Sequence, residues 1–237
     1  MKLASYLLTY VLIGISIQSS ANYDTIVNTD CQYPYQRKEI RSMTVLEVKQ
    51  LIKALRKIRE SLVWDKFIRY HFVSDKYAHF QPIFLPFHRL LLREFEKEIQ
   101  KYYPKLYLPY WNWGIDSQSP EKSVVLTNYY FGGNGNSKEG FILDEGHFAW
   151  DVVPVPEEGY LKRQFDSFGK IKSFPNLEQL EDIMNESTNY TEFNIKISIE
   201  PHAAVHQGVG DEEGHLTTMA SPGDPLFFLH HCFIDML

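Results

Sequence analysis

The chain has 237 residues, with 24 basic and 30 acidic side chains, and its formal net charge at pH 7 is therefore −6. This negative balance argues against nucleic acid or an anionic membrane as a partner. The length suits one large domain or two small ones. A hydrophobic content of 44%, with 15% aromatic residues, provides enough apolar material for a core.

Residues 1–21 have the pattern of a secretory signal peptide. Lys2 supplies the positive end, Leu3–Ile17 the apolar run, and 19–21 a cleavage site of small residues. A membrane anchor is the alternative, but polar residues interrupt this run, which is also short for a membrane span. We therefore expect a secreted chain that begins near Asn22 and has no membrane partner.

The sequence also carries features that depend on the secretory pathway. The sequons at Asn185 and Asn189 are consistent with a glycoprotein. Cys31 and Cys232 are too few for a framework of disulfides. They could pair with each other, or Cys232 could be a small buried residue on a helix, and the sequence assigns neither of them a role.

Hydrophobic spacing predicts a mainly α protein. Thr44 and Glu47 have the spacing of a capping box, and apolar residues from Val48 to Leu62 recur as one buried helical face. The interval 114–170 is rich in Gly, Pro, Ser and Asn and predicts surface loops with a few short strands at most. Helices are predicted at 44–62, 65–73, 86–103, 174–184, 201–208 and from 225. We expect a bundle of about four helices with long irregular loops.

Eight of the nine histidines fall in or beside two clusters along the chain. His202 and His206 stand four residues apart and would share one face of a helix. Asp224 and Pro225 have the pattern of an N-cap followed by proline, and they predict the start of a second helix. The first cluster contains His71, His79 and His88, and the second contains His202, His206, His230 and His231, with His215 between them.

The donor types in these clusters favour copper over other metals. Neutral imidazole suits zinc, copper, iron and nickel. A catalytic zinc helix would carry a glutamate between its two histidines, but Ala203, Ala204 and Val205 stand there. Carboxylate-rich di-iron bundles need Glu-x-x-His pairs, which the sequence lacks. Six imidazoles without a carboxylate favour two copper ions, with open positions between them where dioxygen could bridge.

Four segments carry a resemblance to a known family. They are Phe84-Leu-Pro-Phe-His-Arg89, Leu108-Pro-Tyr-Trp-Asn-Trp113, His202-x3-His206 and Asp224-Pro-Leu-Phe-Phe-Leu-His-His-x3-Asp235. In this order they resemble the copper-binding domain shared by tyrosinases, catechol oxidases and molluscan-type haemocyanins. The resemblance covers roughly residues 30–237, and we expect one domain over 22–237.

The resemblance implies a role for each histidine of the two clusters. One copper ion would be bound by His71, His79 and His88, and the other by His202, His206 and His231. His230 would then be a neighbour that either faces the substrate mouth or supports the ligands from behind. We therefore name His230 as a catalytic candidate rather than a ligand.

Five further residues match functional positions of the family. Phe84 and Phe227 each stand four residues before a ligand and match rings that wedge the imidazoles. Asp235 matches a residue that hydrogen-bonds back to the site. Glu178 or Glu181 could be the glutamate that positions a water molecule, and the sequence does not separate them.

Three departures from the family pattern bear on activity. Tyr77 stands where some members carry a cysteine that forms a thioether bridge. Ala203 stands where asparagine or aspartate accompanies monophenol activity, which argues for diphenol oxidation over hydroxylation. The sequence stops at Leu237, two residues after Asp235, and one interpretation is that the domain is incomplete at its C-terminus.

The resemblance implies an oxidoreductase that uses two copper ions, with dioxygen as co-substrate. Its substrate would be a small phenol, with o-diphenols oxidised to o-quinones and monophenol hydroxylation left open. Two alternatives remain, a haemocyanin-like oxygen carrier and an inactive relative. Carriers are usually large arrays of domains, a format that one short domain behind a signal peptide does not match.

Overall fold

A computed structural model describes residues 36–237, so the predicted signal peptide and Cys31 lie outside the described part. Two short antiparallel strands, β1 (Val152–Val153) and β2 (Gly159–Tyr160), pair with each other. The helices are α1 (Val45–Glu60), α2 (Val63–Val73), α3 (Asp75–Ala78), α4 (Phe84–Gln100), α5 (Leu177–Glu186), α6 (Tyr190–Ile197), α7 (Ala203–Gly210) and α8 (Leu226–Met236). Single 3-10 turns cover Ile40–Ser42, Pro120–Lys122, Val124–Leu126, Ser137–Glu139, His215–Thr217 and Ser221–Gly223.

The prediction of a mainly α fold with long loops is confirmed. Helix α4 packs against α8 and α1, and α1 packs against α2, so these elements form the centre of a helical bundle. The interval 114–170 contains turns and the two short strands, as the composition predicted. Within residues 36–237, no helix combines the length and apolar character needed to cross a bilayer.

Helix α1 begins as its sequence predicts but ends earlier. The Thr44 hydroxyl accepts from the Glu47 N–H, and the Glu47 carboxylate accepts from the Thr44 N–H, which completes the capping box. The apolar face is buried from Val48 to Ile58. Leu62, predicted as its last member, is instead 66% exposed. Its φ of 59° places it in the left-handed turn that separates α1 from α2.

The chain from α6 to α7 is helical through a π-helical turn at Ser198–His202. Pro201 lies inside this turn, whereas the sequence predicted it in the first turn of a new α-helix. Proline has no N–H to continue the helical hydrogen bonds, and its ring disturbs the preceding turn. The Nδ1 of His202 donates to the carbonyl of Ser198 at 3.1 Å. The irregular turn therefore sets the direction of the His202 ring.

Aromatic packing holds α2, α4 and α8 together below the histidines. Phe95 stacks on Phe228 with ring centroids 3.7 Å apart, and Trp64 meets Phe95 edge to face at 4.9 Å. The Trp64 indole N–H donates to the carbonyl of Pro222 at 2.6 Å, so its polar atom is satisfied. Each of the three helices thus contributes a buried ring to the same layer.

The aromatic segment 107–113 packs against the bundle as a loop. Trp111 and Trp113 are completely buried, and the N–H of Trp111 donates to the carbonyl of Leu229 at 3.1 Å. Cys232, on the neighbouring face of α8, is also buried, and burial raises the pKa of its thiol to about 12. Its pairing with Cys31 stays untested because Cys31 lies outside the described residues.

A fully buried ion pair connects the long loops to the start of α8. Arg163 and Asp224 have no exposed side-chain surface, and two hydrogen bonds of 2.9 and 2.8 Å join them. Arg163 also donates to the carbonyls of Phe131 and Gly132, at 3.0 and 2.5 Å. Asp224 accepts from the N–H of Leu226 at 2.9 Å, which caps α8 as the Asp-Pro pattern predicted.

We expect Arg163→Met to destabilise the protein by about 3–5 kcal/mol, because it leaves Asp224 buried without its partner. The measurement is urea unfolding of the metal-free protein. Lys97→Met is the control: it breaks the exposed pair with Glu94 and should cost at most about 1 kcal/mol. Equal effects of the two substitutions would contradict a structural role for the buried pair.

Candidate metal centre

Two clusters of histidines meet inside the bundle. Within each cluster, one nitrogen from every ring lies within 4.8 Å of the others. His71 comes from α2, His79 follows α3 and His88 comes from α4, whereas the other cluster contains His202 and His206 from the α6–α7 run and His230 and His231 from α8. The rings of His88 and His231 stack with centroids 4.2 Å apart and planes at 7°, so the clusters are in direct contact.

Backbone carbonyls fix the proton position on four of these rings. In each, Nδ1 lies at hydrogen-bond distance from a carbonyl oxygen, which can only accept a hydrogen bond, so Nδ1 carries the proton. The pairs are His71 with Met219 (2.8 Å), His88 with Phe84 (2.8 Å), His202 with Ser198 (3.1 Å) and His206 with Leu216 (2.5 Å). The lone pair of each neutral ring is therefore on Nε2.

The Nε2 atoms of these rings are the ones that a metal ion would satisfy. The Nε2 atoms of His71, His88 and His202 are buried and have no hydrogen-bond partner among the described residues. The Nε2 of His206 lies 3.2 Å from the Nε2 of His231. Buried acceptors without partners are costly in an apolar interior, and metal ions remove that cost. The histidines therefore fit a pair of metal ions.

His230 has the opposite proton position. The indole N–H of Trp113, which can only donate, lies 3.1 Å from the Nδ1 of His230. That nitrogen must therefore carry the lone pair, and the proton of the neutral ring is on Nε2. His230 is completely buried and does not line the site cavity described below. It lies behind the cluster and does not face the mouth.

Burial keeps the imidazoles neutral. It lowers the pKa of His71 to about 3 and that of His206 to about 4. In both rings the hydrogen bond to a carbonyl raises the pKa, but the effect of burial is larger. Burial also lowers the pKa of the other rings, and neighbouring imidazoles add to this effect because two positive rings would repel. This holds for His88, His202, His230 and His231. Neutral imidazole is the form that binds a metal ion.

Two phenylalanine rings separate and orient the imidazoles, in the positions that the resemblance implies. The ring centroid of Phe84 lies 4.6 Å from that of His88 and 4.8 Å from that of His202. The ring centroid of Phe227 lies 4.2 Å from that of His231 and 5.0 Å from that of His71. Each phenylalanine therefore touches both clusters and limits the rotation of their rings.

The resemblance implied that Asp235 hydrogen-bonds back to the metal site, and this prediction is wrong in this structure. Its carboxylate accepts from Arg37 at 2.8 Å and from Arg89 at 2.5 Å, on the side of α8 that faces α4 and the segment before α1. Both hydrogen bonds lead away from the histidines. Asp235 therefore joins the N-terminal part of the described chain to α8 and does not contact the metal centre.

The two candidate glutamates are also placed elsewhere. Glu178 and Glu181 are exposed on α5, and neither lines the site cavity. The prediction that one of them positions a water molecule at the site is not supported by this placement. The pattern was misleading because a Leu-Glu dipeptide is common on the solvent face of any amphipathic helix.

A cavity of about 390 Å³ leads from the surface to the clusters. His79, His202 and His206 are partly exposed in its wall, so a small molecule can reach them. Ala203 also lines this cavity, whereas Tyr77 is 76% exposed. Sequence reasoning missed Trp113 as a hydrogen-bond partner, and Phe80 and Asp211 as wall residues, because only the folded backbone brings them to the site.

We expect the metal-free protein to lose stability as the pH falls from 6.5 to 5. The pKa of an unfolded histidine is about 6.5, and the folded pKa values lie below it. The unfolded chain therefore binds more protons in this range, and each buried ring contributes up to about 1.4 kcal/mol per pH unit. Urea unfolding at several pH values measures the slope.

The slope should decrease in His88→Phe, which removes one buried ring, and should not change in His147→Gln. His147 is the control because it is exposed and outside both clusters. A free energy of unfolding that stays constant between pH 6.5 and 5 would contradict a set of buried neutral imidazoles.

The comparisons with known proteins agree with this arrangement. The chain is 29% identical over 227 residues to a tyrosinase of Streptomyces glaucescens, covering 85% of this chain and 80% of that one. It is 28% identical over 256 residues to grixazone synthase of Streptomyces griseus, covering 84% and 81%.

Solved structures show the same fold at 21% identity. A polyphenol oxidase of Thermothelomyces thermophila matches with a TM-score of 0.69, over 84% of this chain and 68% of that one. A functional unit of octopus haemocyanin matches with a TM-score of 0.59, over 85% and 51%. Residues 61–237 match the model of the common central domain of tyrosinase. Since this match includes both histidine clusters, the chain belongs to the tyrosinase family.

Proposed function

We propose that this protein is a secreted copper oxidoreductase that uses dioxygen to oxidise o-diphenols to o-quinones. His71, His79 and His88 would hold one copper ion, and His202, His206 and His231 the other. The observation that carries the proposal is the set of buried Nε2 lone pairs in two adjoining clusters, without a carboxylate among the donors. Similarity to proteins named tyrosinase supports the same chemistry.

Bound copper would supply dioxygen binding and the transfer of electrons. Overall, two o-diphenols would each lose two electrons and two protons, and one dioxygen would become two water molecules. The chain contributes orientation: the carbonyls of Met219, Phe84 and Ser198 hold Nδ1 protons, so that each Nε2 is directed inward. Phe84 and Phe227 keep the donor rings in place and exclude water from between them.

Access to the site favours an enzyme over an oxygen carrier. A carrier must keep phenols away from its metal ions, but here three candidate ligands are partly exposed in the wall of a cavity of about 390 Å³. This volume falls within the range of small-molecule sites. The haemocyanin-like alternative would need a further segment over this opening.

The cavity wall favours o-diphenols over monophenols. Ala203, next to the candidate ligand His202, places a methyl group in the wall. A methyl group at this position cannot accept a hydroxyl proton beside His202. We therefore propose o-diphenol oxidation as the main activity and leave monophenol hydroxylation open.

Secretion is part of the proposal and depends on the N-terminal pattern and the sequons. Asn185 and Asn189 are both exposed, on α5 and at the N-cap of α6, so a glycan on either residue would lie at the surface. We expect expression with the natural leader to give protein in the medium that begins near Asn22. Intact-mass and N-terminal analysis would show both features, and protein retained in the cell with its leader uncut would contradict secretion.

The function is tested by copper content and catechol oxidation on the same purified sample. We expect near two copper ions per chain and quinone formation that depends on dioxygen. Two coppers with reversible oxygen binding and no turnover would favour a carrier. A copper content well below two after reconstitution would favour an inactive relative.

The neighbouring pair His230 and His231 gives a matched test of the ligand assignment. We expect His231→Gln to lose about one copper ion per chain and the activity, because it removes an inward donor. His230→Gln should keep both copper ions. The Nδ1 of His230 accepts a hydrogen bond from Trp113, so the Nε2 of this ring carries the proton and has no lone pair for a metal ion. Loss of copper in His230→Gln, with copper retained in His231→Gln, would reverse the assignment.

A further inference from the structure

Asp211 is the single formally charged residue in the wall of the site cavity, as far as residues 36–237 are described. The other wall residues are apolar, hydroxyl-bearing or amide side chains and the neutral imidazoles. Asp211 lies just after α7, which contains the candidate ligand His206 and directly follows the candidate ligand His202. Any charged group on a substrate that enters this cavity would therefore meet a carboxylate.

The Asp211 carboxylate has no cation of its own in the described part of the chain. It accepts one long hydrogen bond, from the amide of Gln164 at 3.5 Å, and no lysine or arginine lies at ion-pair distance. The Asp211 residue is exposed, whereas its backbone N–H is bound to the carbonyl of Gln207 at 2.7 Å. The backbone is fixed, and the charge remains available to a ligand.

The backbone at two cavity residues is unusual for the side chains it carries. Asp211 has a φ of 39° and Phe80 a φ of 55°, a region that glycine adopts without steric cost. Non-glycine residues in such conformations concentrate where their side chains serve a function. Both of these residues lie in the wall of the same cavity.

Phe80 provides the aromatic part of a recognition site. It follows the candidate ligand His79, and 80% of its surface is exposed. A large apolar ring this exposed gains nothing from burial, but its face can cover a substrate ring or an organic cation. Phe80 and Asp211 thus present an aromatic face and a carboxylate to one cavity.

An adjoining cavity of about 400 Å³ shares Gln207 and Asp211 with the first. It also contains Asp166, Lys170 and Lys172, so its formal charges cancel. Lys170 is already paired with Glu121 at 3.1 Å. Lys172 is thus the group that a carboxylate-bearing substrate would have to use, and it lies in the second cavity rather than beside the metal centre.

We infer that this site prefers o-diphenols whose side chain carries a protonated amine. Asp211 pairs with the ammonium group, and Phe80 covers the aromatic ring. The inference rests on the proposed function for turnover, but the recognition it describes needs only the cavity. It can therefore be tested on the metal-free chain as well as on the copper-loaded enzyme.

The kinetic test compares three catechols on the copper-loaded protein: 4-(2-aminoethyl)catechol, neutral 4-methylcatechol and 3-(3,4-dihydroxyphenyl)propionate. We expect the ammonium compound to have the highest kcat/KM. Asp211→Asn should lower the ratio of kcat/KM for the ammonium compound to kcat/KM for 4-methylcatechol about two- to fivefold. The change should come mainly from a higher KM for the ammonium compound, as expected for the loss of a solvent-accessible ion pair. Asparagine keeps the size of the aspartate side chain and removes its charge.

The control is Glu212→Gln, which makes the same change in net charge one residue away. Glu212 is exposed and does not line the cavity, and this variant should keep the wild-type order of the three catechols. Phe80→Leu should raise KM for all three, because the ring face is lost for each of them. An equal change for all three catechols in Asp211→Asn, or a wild-type preference for the propionate, would overturn the inference.

The binding test separates this inference from the proposed function. Saturation-transfer NMR on the metal-free chain compares 2-phenylethylammonium with 3-phenylpropionate, neither of which is a catechol. We expect tighter binding of the ammonium compound in the wild type and Glu212→Gln, and a loss of this preference in Asp211→Asn. Absence of catechol turnover with this preference present would contradict the proposed function alone. Turnover without the preference would contradict the inference alone.

Discussion

The metal centre depends on hydrogen bonds between imidazole Nδ1 atoms and backbone carbonyls. A neutral imidazole has one proton, and by donating it outward to a carbonyl a ring must direct its Nε2 lone pair inward. His71, His88, His202 and His206 all do this, with carbonyls from three different parts of the chain. The inward direction of these four Nε2 atoms is therefore set by the fold before any metal is bound, and burial keeps the rings in the neutral form.

The acceptor carbonyls explain why so much irregular structure surrounds the helices. The carbonyl of Ser198 lies in the π-helical turn that contains Pro201. The carbonyls of Leu216 and Met219 lie in the connection between α7 and α8. The Asp224 end of that connection is fixed by the buried pair with Arg163, which also binds carbonyls of the long loop at Phe131 and Gly132. The loops thus determine the orientation of the rings that the helices present.

Local patterns predicted most of the helices and the two histidine clusters, because capping and apolar spacing act over a few residues, whereas α3 and α6 were not predicted. The capping box at Thr44 and the cap at Asp224 are examples. The hydrogen bond from Arg37 to Asp235 joins residues 198 positions apart, and the one from Trp113 to His230 joins residues 117 positions apart. No local pattern contains such pairs. The exposed positions of Glu178 and Glu181 could not be predicted from a dipeptide for the same reason.

We propose that two copper ions are held by inward Nε2 atoms of two histidine triads, with His230 excluded. A crystal structure of the copper-loaded protein, with anomalous scattering recorded at the copper edge, would test this arrangement. Two anomalous peaks are expected, each about 2 Å from three Nε2 atoms, as imidazole binds first-row metals. His230 should still accept from Trp113. A single peak, or a peak bound to His230 in place of His231, would show that the proposed ligand set is wrong.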